Sequence, residues 1–250
     1  MDKFGFGHIA AAKCVDWIKE WFDKNGNNNN AIVGISGGID SSVVAALCTK
    51  ALGEGRVIGV LMPNHTQDDI EYAHTLVNSL RIRSYKLNIG ASVDGIYNAM
   101  ENVHMKISDQ TRTNLPARIR MSTLYAVSQS NNGRVANTCN LSEDYIGYST
   151  RYGDSVGDFA PIADFTKSEV IEIGYALGLQ DHLMKKEPSD GLCGKTDEEN
   201  LGFTYAVLDE YIRTGVCDNP AVKKKIDFLH KKNQFKMRLM DSFMYHNVFM

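Results

Sequence analysis

The sequence lacks any apolar stretch long enough to cross a bilayer, since no segment reaches the roughly 18 consecutive apolar residues that a spanning helix requires. Its first residues, MDKFGFGHIAAAKCVDW, lack the uninterrupted apolar core of a secretory signal. With a net charge of −3, the chain also lacks the excess of positive charge that attracts nucleic acid or anionic membranes as a whole. We therefore expect a cytoplasmic protein with neither a membrane nor a nucleic acid as its partner.

The cysteines are few, odd in number and scattered along the chain, and no Cys-x-x-Cys pair occurs among them. The five are Cys14, Cys48, Cys139, Cys193 and Cys217. Neither a disulfide framework nor a structural zinc site is expected from such spacing. The pattern predicts reduced thiols with structural roles.

The 250 residues, 43% of them hydrophobic, suffice for one large domain with a substantial core, which we expect to span residues 1–250. Short apolar runs alternate with segments of helical periodicity; the runs are AIVGI, RVIGVLMP, RSYKLNI and GRVANTCN. This alternation predicts an α/β protein, a Rossmann-like doubly wound parallel sheet with helices on both faces. The segment KNGNNNN at 24–30 is predicted to be a solvated turn, 185–202 a long loop, and 221–240 a basic helix.

One glycine turn, in AIVGISGGIDSS, follows the first predicted strand and precedes a helix. Gly37 and Gly38 allow backbone N–H groups to approach an anion, the serine hydroxyls can donate to it, and the next helix adds the positive end of its dipole. Ligands of such sheets bind at the carboxyl ends of the strands, where this turn lies. The alternative is an ordinary turn with Asp40 in the first turn of a helix.

The lysine of a Walker A loop is missing from this turn, and Asp40 stands within it instead. An acidic residue beside polyphosphate requires a cation between them, most simply Mg²⁺. The turn is therefore expected to hold a metal-bound pyrophosphate. If pyrophosphate is the leaving group, attack falls on the α-phosphate and an adenylate forms.

SGGIDS resembles the pyrophosphate loop of the N-type ATP pyrophosphatases, which have the adenine nucleotide alpha-hydrolase-like fold. Further segments resemble, in order, the motifs of the NAD synthetase family: NLPARIRM, NTCNLSE, GYSTRYGDSVGDFAP, KSEV, KEPSDGL and DEENLGFTY. The match runs from about residue 31 to 212. It implies an ammonia-dependent NAD synthetase, a C–N ligase that amidates deamido-NAD through an acyl-adenylate and releases NAD, AMP and pyrophosphate.

The resemblance assigns residues to three groups. ATP contacts are implied for Gly34, Ile35, Ser36, Gly37, Gly38, Ile39, Asp40, Ser41, Thr138, Lys167 and Ser189, and Mg²⁺ ligands for Asp40 and Glu143. Deamido-NAD contacts are implied for Arg118, Arg151, Asp158, His230 and Lys231. Two positions depart from the family: Arg151 replaces the usual lysine, and Asn137 replaces the usual glycine, which puts the backbone conformation at 137 in doubt.

The amidation needs a base, because ammonium must lose a proton before it attacks. Asp154 or Asp158, two acids close together in GDSVGD, is the candidate acceptor; the alternative is that both cap turns or helices. Family members that use glutamine carry an amidase domain with a catalytic cysteine, for which 250 residues leave no room, so ammonia is expected to be the direct nitrogen donor. A separate glutaminase subunit is the alternative source. The resemblance also implies a homodimer.

Other functions compete with this interpretation. One is another N-type ATP pyrophosphatase, either a GMP synthetase-like amidotransferase or a tRNA-modifying enzyme, although the net charge and scattered thiols disfavour a tRNA substrate. The other is a nucleotide-binding module without catalysis. Such a module would not need Asp40 and Glu143 together.

Overall fold

The computed structural model describes residues 3–186, 196–238 and 240–243. The strands are β1 (Asn30–Gly34), β2 (Val57–Leu61), β3 (Arg83–Lys86) and β4 (Gly133–Ala136). The helices are α1 (Lys3–Asn25), α2 (Ile39–Leu52), α3 (Ile70–Ser79), α4 (Gly90–Asn102), α5 (Asp109–Ser130), α6 (Leu141–Ile146), α7 (Lys167–Ala176), α8 (Asp181–Met184), α9 (Asp197–Leu201), α10 (Tyr205–Thr214) and α11 (Pro220–Asn233). Short 3₁₀ turns occupy Glu54–Arg56 and Gln234–Lys236.

The four strands form one parallel sheet in the order β3-β2-β1-β4. The chain moves outward from β1 to β3 and then returns to the other side of β1, where Ile32 pairs with Val135. The order therefore reverses between β1 and β4, which opens a crevice at their carboxyl ends. This topology confirms the predicted doubly wound parallel sheet.

Helices cover both faces of the sheet because successive strand residues point to opposite sides. Ala31 and Val33 of β1 lie in a core that contains Ile18 of α1 and Leu47 of α2. Ile32, between them in the chain, lies in the core of the other face, with Val93 of α4 and Val127 of α5 among its members. The side chains on both faces of the sheet are almost fully buried, which explains the continuous apolar runs of β1 and β2.

A third core joins the carboxyl-terminal helices to α6. Ile146, Leu208 and Ile226 are its most buried members, from α6, α10 and α11. The basic segment at 221–240 is therefore a helix with one apolar side packed on the domain, followed by a 3₁₀ turn. Four of its lysines are exposed: Lys224, Lys225, Lys231 and Lys232. Lys236, in the 3₁₀ turn, is half-buried, donates to Gly147 O and Ser149 O and lines the cavity described below.

The predicted solvated turn at 24–30 is only partly solvated, which corrects the sequence-based expectation. Asn29 is 7% exposed, and its amide Nδ2 donates to the carbonyl O and the side-chain Oδ1 of Asn132. Asn30 Nδ2 donates to Asn131 O. These amides link the amino ends of β1 and β4, so the asparagine run has a structural role.

The turn that connects α2 to β2 lies at the same, amino end of the sheet. Gly53 ends α2 with φ of +83°, a conformation that glycine adopts without strain. Gly55 has no heavy atom outside its neighbours within 4 Å of the position of a Cβ. The turn is thus open to solvent on the outside.

Within the described ranges, no helix has the length and apolar character needed to cross a membrane. Cys14, Cys48 and Cys139 are buried free thiols and Cys217 is a partly exposed one. Cys193 lies outside the described residues.

Candidate active site

A cavity of about 820 Å³ opens at the carboxyl ends of β1, β2 and β4. Its walls are the loops that follow these strands, one side of α5 and the segment 147–156. The position is the crevice that the reversal of strand order creates. The volume is in the range of small-molecule sites.

The glycine turn after β1 forms the floor of this cavity. Gly37 has φ of +81°, and a Cβ there would lie 3.0 Å from Ala73 N, so the close approach of α3 also requires glycine. Gly38 N donates to Ser36 Oγ, whereas the Ser42 hydroxyl donates back to Gly38 O. The residues of this turn that line the cavity are Gly34, Ile35, Ser36, Gly38, Ile39, Asp40 and Ser41.

Three charged side chains from distant parts of the sequence meet beside the turn. Lys167 Nζ donates to Asp40 Oδ2 at 2.5 Å and to Glu143 Oε1 at 3.5 Å. Asp40 lies in the first turn of α2, Glu143 in α6 and Lys167 at the start of α7. The structure therefore brings a lysine to the glycine turn, which has none of its own.

The electrostatics of the cluster follow from its burial. Burial raises the pKa of the Glu143 carboxyl well above its usual value, the Asp40 charge raises it further, and Lys167 opposes this only in part. Burial by itself lowers the pKa of Lys167, but the charges of Asp40 and Glu143 outweigh it and hold the pKa above the usual value. Lys167 is thus a permanent cation, and it faces two carboxyl groups, of which Glu143 loses its proton only with difficulty.

The position of Lys167 is fixed by its helix terminus. Thr166 caps α7 in a capping box with Glu169, and Lys167 N donates to Ser142 Oγ. Ser142 Oγ in turn donates to Asp209 of α10 at 2.5 Å. Lys167 is only 4% exposed, so its ammonium group is held in one place between α6 and α10.

Asp40 and Glu143 fit a hard divalent cation such as Mg²⁺. Their oxygens converge on the same ammonium group, and burial followed by the Asp40 charge raises the pKa of Glu143, so a bound cation would favour its ionised form. Across the described parts of the chain, no group of three His, Cys, Asp or Glu side chains converges on one point. Two carboxylates completed by phosphate oxygens and water match the coordination that Mg²⁺ adopts with nucleotides.

The two acids of GDSVGD occupy different environments. Asp154 lines the cavity, its Oδ1 accepts from Thr150 N at 2.8 Å, and burial raises its pKa despite that bond. Asp158 Oδ2 accepts from Val135 N at 2.7 Å and its Oδ1 from the Tyr125 hydroxyl, beside a smaller surface concavity. Only Asp154 of the pair faces the large cavity.

The residues assigned to deamido-NAD lie outside the cavity wall. Arg118 is exposed and donates to Arg151 O, while the Arg151 guanidinium lies over Tyr152 and Phe235. His230 stacks on Tyr145 and its ring nitrogens contact Tyr145 O and Gln234 Nε2. Lys231 is exposed on α11. Of the ATP-site residues, Thr138 lines the cavity and Ser189 falls outside the described residues.

Several cavity residues were not singled out by the sequence analysis. Asn140 Nδ2 donates to Asp40 Oδ1 at 2.9 Å and fixes that carboxylate. Arg120, two residues after Arg118 in the NLPARIRM helix, faces the cavity and donates to Met62 O. Lys186 pairs with Asp69 and lies 3.4 Å from Gly37 O in the phosphate turn. No local sequence motif reveals these contacts, although at about 100° per residue Arg120 lies roughly 160° around α5 from Arg118.

The backbone at 137 needs no glycine. Asn137 is absent from the residues with positive φ, so an L-residue fits its conformation. Its side chain accepts from Cys139 N and donates to Asp154 O. The departure from the family at this position is therefore compatible with the fold.

The family model described as NAD synthase matches residues 10–242. The chain belongs to the NAD synthase family. Among curated relatives, an NH(3)-dependent NAD(+) synthetase of Finegoldia magna is 37% identical over 229 residues, which cover 91% of this chain and 92% of the relative. This family consists of ligases that use ATP. Membership in it excludes both competing interpretations, another kind of N-type ATP pyrophosphatase and a nucleotide-binding module without catalysis.

Two solved structures of the NAD synthase family resemble this fold at 30% identity. An NH3-dependent NAD synthetase from Campylobacter jejuni has a TM-score of 0.78, with 98% of this chain and 100% of that chain covered. An NMN synthetase from Francisella tularensis has a TM-score of 0.87, with 94% and 98% covered. The fold is thus shared by synthetases whose names specify a dinucleotide and a mononucleotide product.

Proposed function

We propose that the protein amidates deamido-NAD with ammonia at the expense of ATP, and forms NAD, AMP and pyrophosphate. The observation that carries this proposal is the cluster of Lys167, Asp40 and Glu143 at a phosphate turn without its own lysine. A lysine inside such a turn serves transfer of the terminal phosphate. Carboxylates in its place suit a metal-bound pyrophosphate that leaves.

In the first step the substrate carboxylate attacks the α-phosphate, and no base is needed because the nucleophile is already ionised. Asp40 and Glu143 would hold Mg²⁺, which would neutralise the polyphosphate charge. Lys167 adds a fixed positive charge, and the amides and hydroxyls of the turn orient the phosphates. Asn140 keeps the Asp40 carboxylate in position through the bond to its Oδ1.

In the second step ammonia attacks the acyl carbon of the adenylate and AMP leaves. We assign Asp154 as the group that binds ammonium and accepts its proton, since it lines the cavity while Asp158 is bonded to the β4 backbone. Burial raises the pKa of Asp154, which makes it a stronger proton acceptor than an exposed aspartate.

Further parts of the proposal concern the nitrogen source and assembly. Free ammonia is the proposed donor, as the name of the Finegoldia magna relative states for that protein. Residues 1–250 act as a single synthetase domain in the cytoplasm. A homodimer would allow Arg118, Arg151, His230 and Lys231, which lie outside the cavity, to contact a substrate that extends beyond it.

The test is incubation of the protein with ATP, Mg²⁺, ammonium and deamido-NAD. AMP and NAD should form in equal amounts, and both should depend on Mg²⁺. Formation of AMP without NAD, or no turnover at all, would contradict the proposal. Replacing ammonium with glutamine should abolish NAD formation if the protein uses free ammonia.

A second candidate substrate is nicotinate mononucleotide, which the same chemistry converts to NMN. The similarity to the Francisella tularensis NMN synthetase favours it, as does the position of His230 and Lys231 away from the cavity. The ratio of kcat/KM for the two substrates decides between them. A ratio above about 10 in favour of deamido-NAD corresponds to at least 1.4 kcal/mol of added transition-state binding by the adenylate half and supports the first candidate.

A further inference from the structure

Asn137 stands directly after β4, at the base of the loop that carries Asp154. It is 7% exposed and does not line the large cavity. Its backbone N donates to Phe159 O at 2.8 Å, in register with the isolated bridge between Ala136 and Phe159. Asp158 N also donates to Val135 O, so Asp158 and Phe159 run alongside the end of β4.

The Asn137 side chain adds three hydrogen bonds across this junction. Nδ2 donates to Asp154 O at 3.0 Å and to Val156 O at 3.4 Å, while Oδ1 accepts from Cys139 N at 2.8 Å. The Cys139 thiol also contacts Asp154 O, at 3.3 Å. The amide thus connects the exit of β4 to the main chain of Asp154, a connection that glycine, the residue the family commonly has here, cannot make.

Close packing holds the amide in this arrangement. A Cβ on Gly157 would lie 2.6 Å from Asn137 N and 2.8 Å from Asn137 Cβ, so the loop approaches β4 as closely as a glycine permits. On its other side, Asp154 is fixed by the bond from Thr150 N to its carboxylate, and Thr150 Oγ1 donates to Asn114 of α5. Asp154 is therefore held at its main chain by Asn137 and at its side chain by Thr150.

We infer that Asn137 is a positioning residue for the ammonium step: by bonding the Asp154 main chain, it sets where the Asp154 carboxylate meets ammonium in the cavity. This inference rests on the proposed function, because it assigns Asn137 a role in that reaction. Asn137 acts through Asp154 and does not itself line the large cavity. Its loss should therefore affect ammonium more than the other two substrates.

The test compares three variants with the wild type. Asn137→Ala removes all three side-chain bonds, and Asn137→Asp keeps the shape and the acceptor for Cys139 N but loses the donor to Asp154 O. Asn29→Ala is the matched control: Asn29 is equally buried, donates two side-chain bonds, and lies at the opposite end of the sheet. KM for ammonium, ATP and deamido-NAD, kcat and the thermal midpoint are measured for each.

Both Asn137 variants should raise the KM for ammonium about tenfold, because a small displacement of a positioned group has a large kinetic effect, and change the KM for ATP less than about twofold. Asn29→Ala should lower the thermal midpoint and leave every KM unchanged. An unchanged KM for ammonium in a folded Asn137 variant would overturn the inference while the proposed function stands. If Asn137→Ala does not fold, the isosteric Asn137→Asp decides. Failure of the wild type to form NAD would instead overturn the proposed function, and the inference with it.

Discussion

The two ends of the sheet contain polar groups of opposite character. At the amino end, neutral amides donate to each other and to backbone, as Asn29 does to Asn132 and Asn30 to Asn131 O, and the guanidinium of Arg56 donates to Asn29 O without any carboxylate partner among the described residues. At the carboxyl end, Asp40 and Glu143 share one buried lysine, and the pKa of Glu143 is raised by burial and by Asp40.

The difference shows which end serves stability and which serves ligand binding. Buried neutral groups with their hydrogen bonds made stabilise a fold modestly, whereas buried charges of unequal number destabilise it until a ligand balances them. Two buried carboxyl groups beside a single lysine at the carboxyl end are therefore expected where a cation and a phosphate bind. Substitutions at the carboxyl end should therefore lower activity more than stability, and substitutions at the amino end should lower stability and leave activity unchanged.

The largest effect is expected for Lys167→Met. The change removes the only positive charge that contacts both Asp40 and Glu143 within the described structure. We expect kcat for NAD formation to fall about 1,000-fold, because preorganised charge at a transferring phosphoryl group is the largest contribution to such catalysis. Lys185→Met, which removes an exposed lysine of an i,i+4 pair, serves as the control and should retain full activity.

Glu143→Gln should separate activity from stability. Activity should fall roughly 100-fold and the Mg²⁺ concentration for half-maximal rate should rise, since a charged metal ligand is lost. Without ligands the variant should be more stable than the wild type at pH 8, because the wild type must charge a carboxyl whose pKa burial has raised. Below the ordinary glutamate pKa of about 4.3 the carboxyl is protonated in both folded and unfolded states, so this gain should vanish. Urea unfolding at both pH values measures it; a loss of stability at pH 8 would contradict the comparison.

Asn29→Ala, at the amino end of the sheet, should lower stability and leave activity unchanged. The variant loses two side-chain hydrogen bonds and leaves the Asn132 acceptors without them, so the free energy of unfolding should fall by about 1–3 kcal/mol. The kcat at saturating substrates should stay within twofold of the wild-type value, because Asn29 and the cavity lie at opposite ends of β1. A change in KM for ATP would show that the two ends are coupled.

The smallest effect is expected for Arg213→Met, on the surface near the start of α7. Arg213 donates to both carboxylate oxygens of Glu169, the capping-box residue of α7, and the pair outweighs burial and lowers the Glu169 pKa. The variant should lose about 1 kcal/mol of unfolding free energy at pH 7, since exposed pairs contribute little. Because the folded-state pKa is lowered, that contribution is present above the unfolded pKa and is lost as pH falls through the folded one. The two proteins should converge at low pH.

The sheet and its functional edge could be predicted from sequence because both depend on local patterns. The apolar runs at β1 and β2 and the glycine turn after β1 are continuous in the chain. Helix α4, GASVDGIYNAMEN, was not predicted, since two glycines and few buried side chains weaken its periodicity. The six-residue α6 is too short to show any.

The site was predictable only in part because its contacts join distant segments. Resemblance to a family assigned Glu143 and Lys167, but the Asn140 bond to Asp40 spans 100 residues and the Lys167 bond spans 127. No periodicity or local motif reports such pairs. The burial of Asn29 in the turn at 24–30 could not be predicted for the same reason, because it depends on bonds to Asn132, 103 residues further along the chain.

The open turn at Gly53–Arg56 offers a place to attach a reporter. A side chain at Gly55 would meet no atom within 4 Å beyond the neighbouring residues, and the turn lies at the end of the sheet opposite the cavity. Exposed loop tips of this kind accept inserted peptides and even whole domains. A fluorophore or affinity tag introduced after Gly55 would therefore label the enzyme for binding measurements while all substrates keep unobstructed access to the cavity.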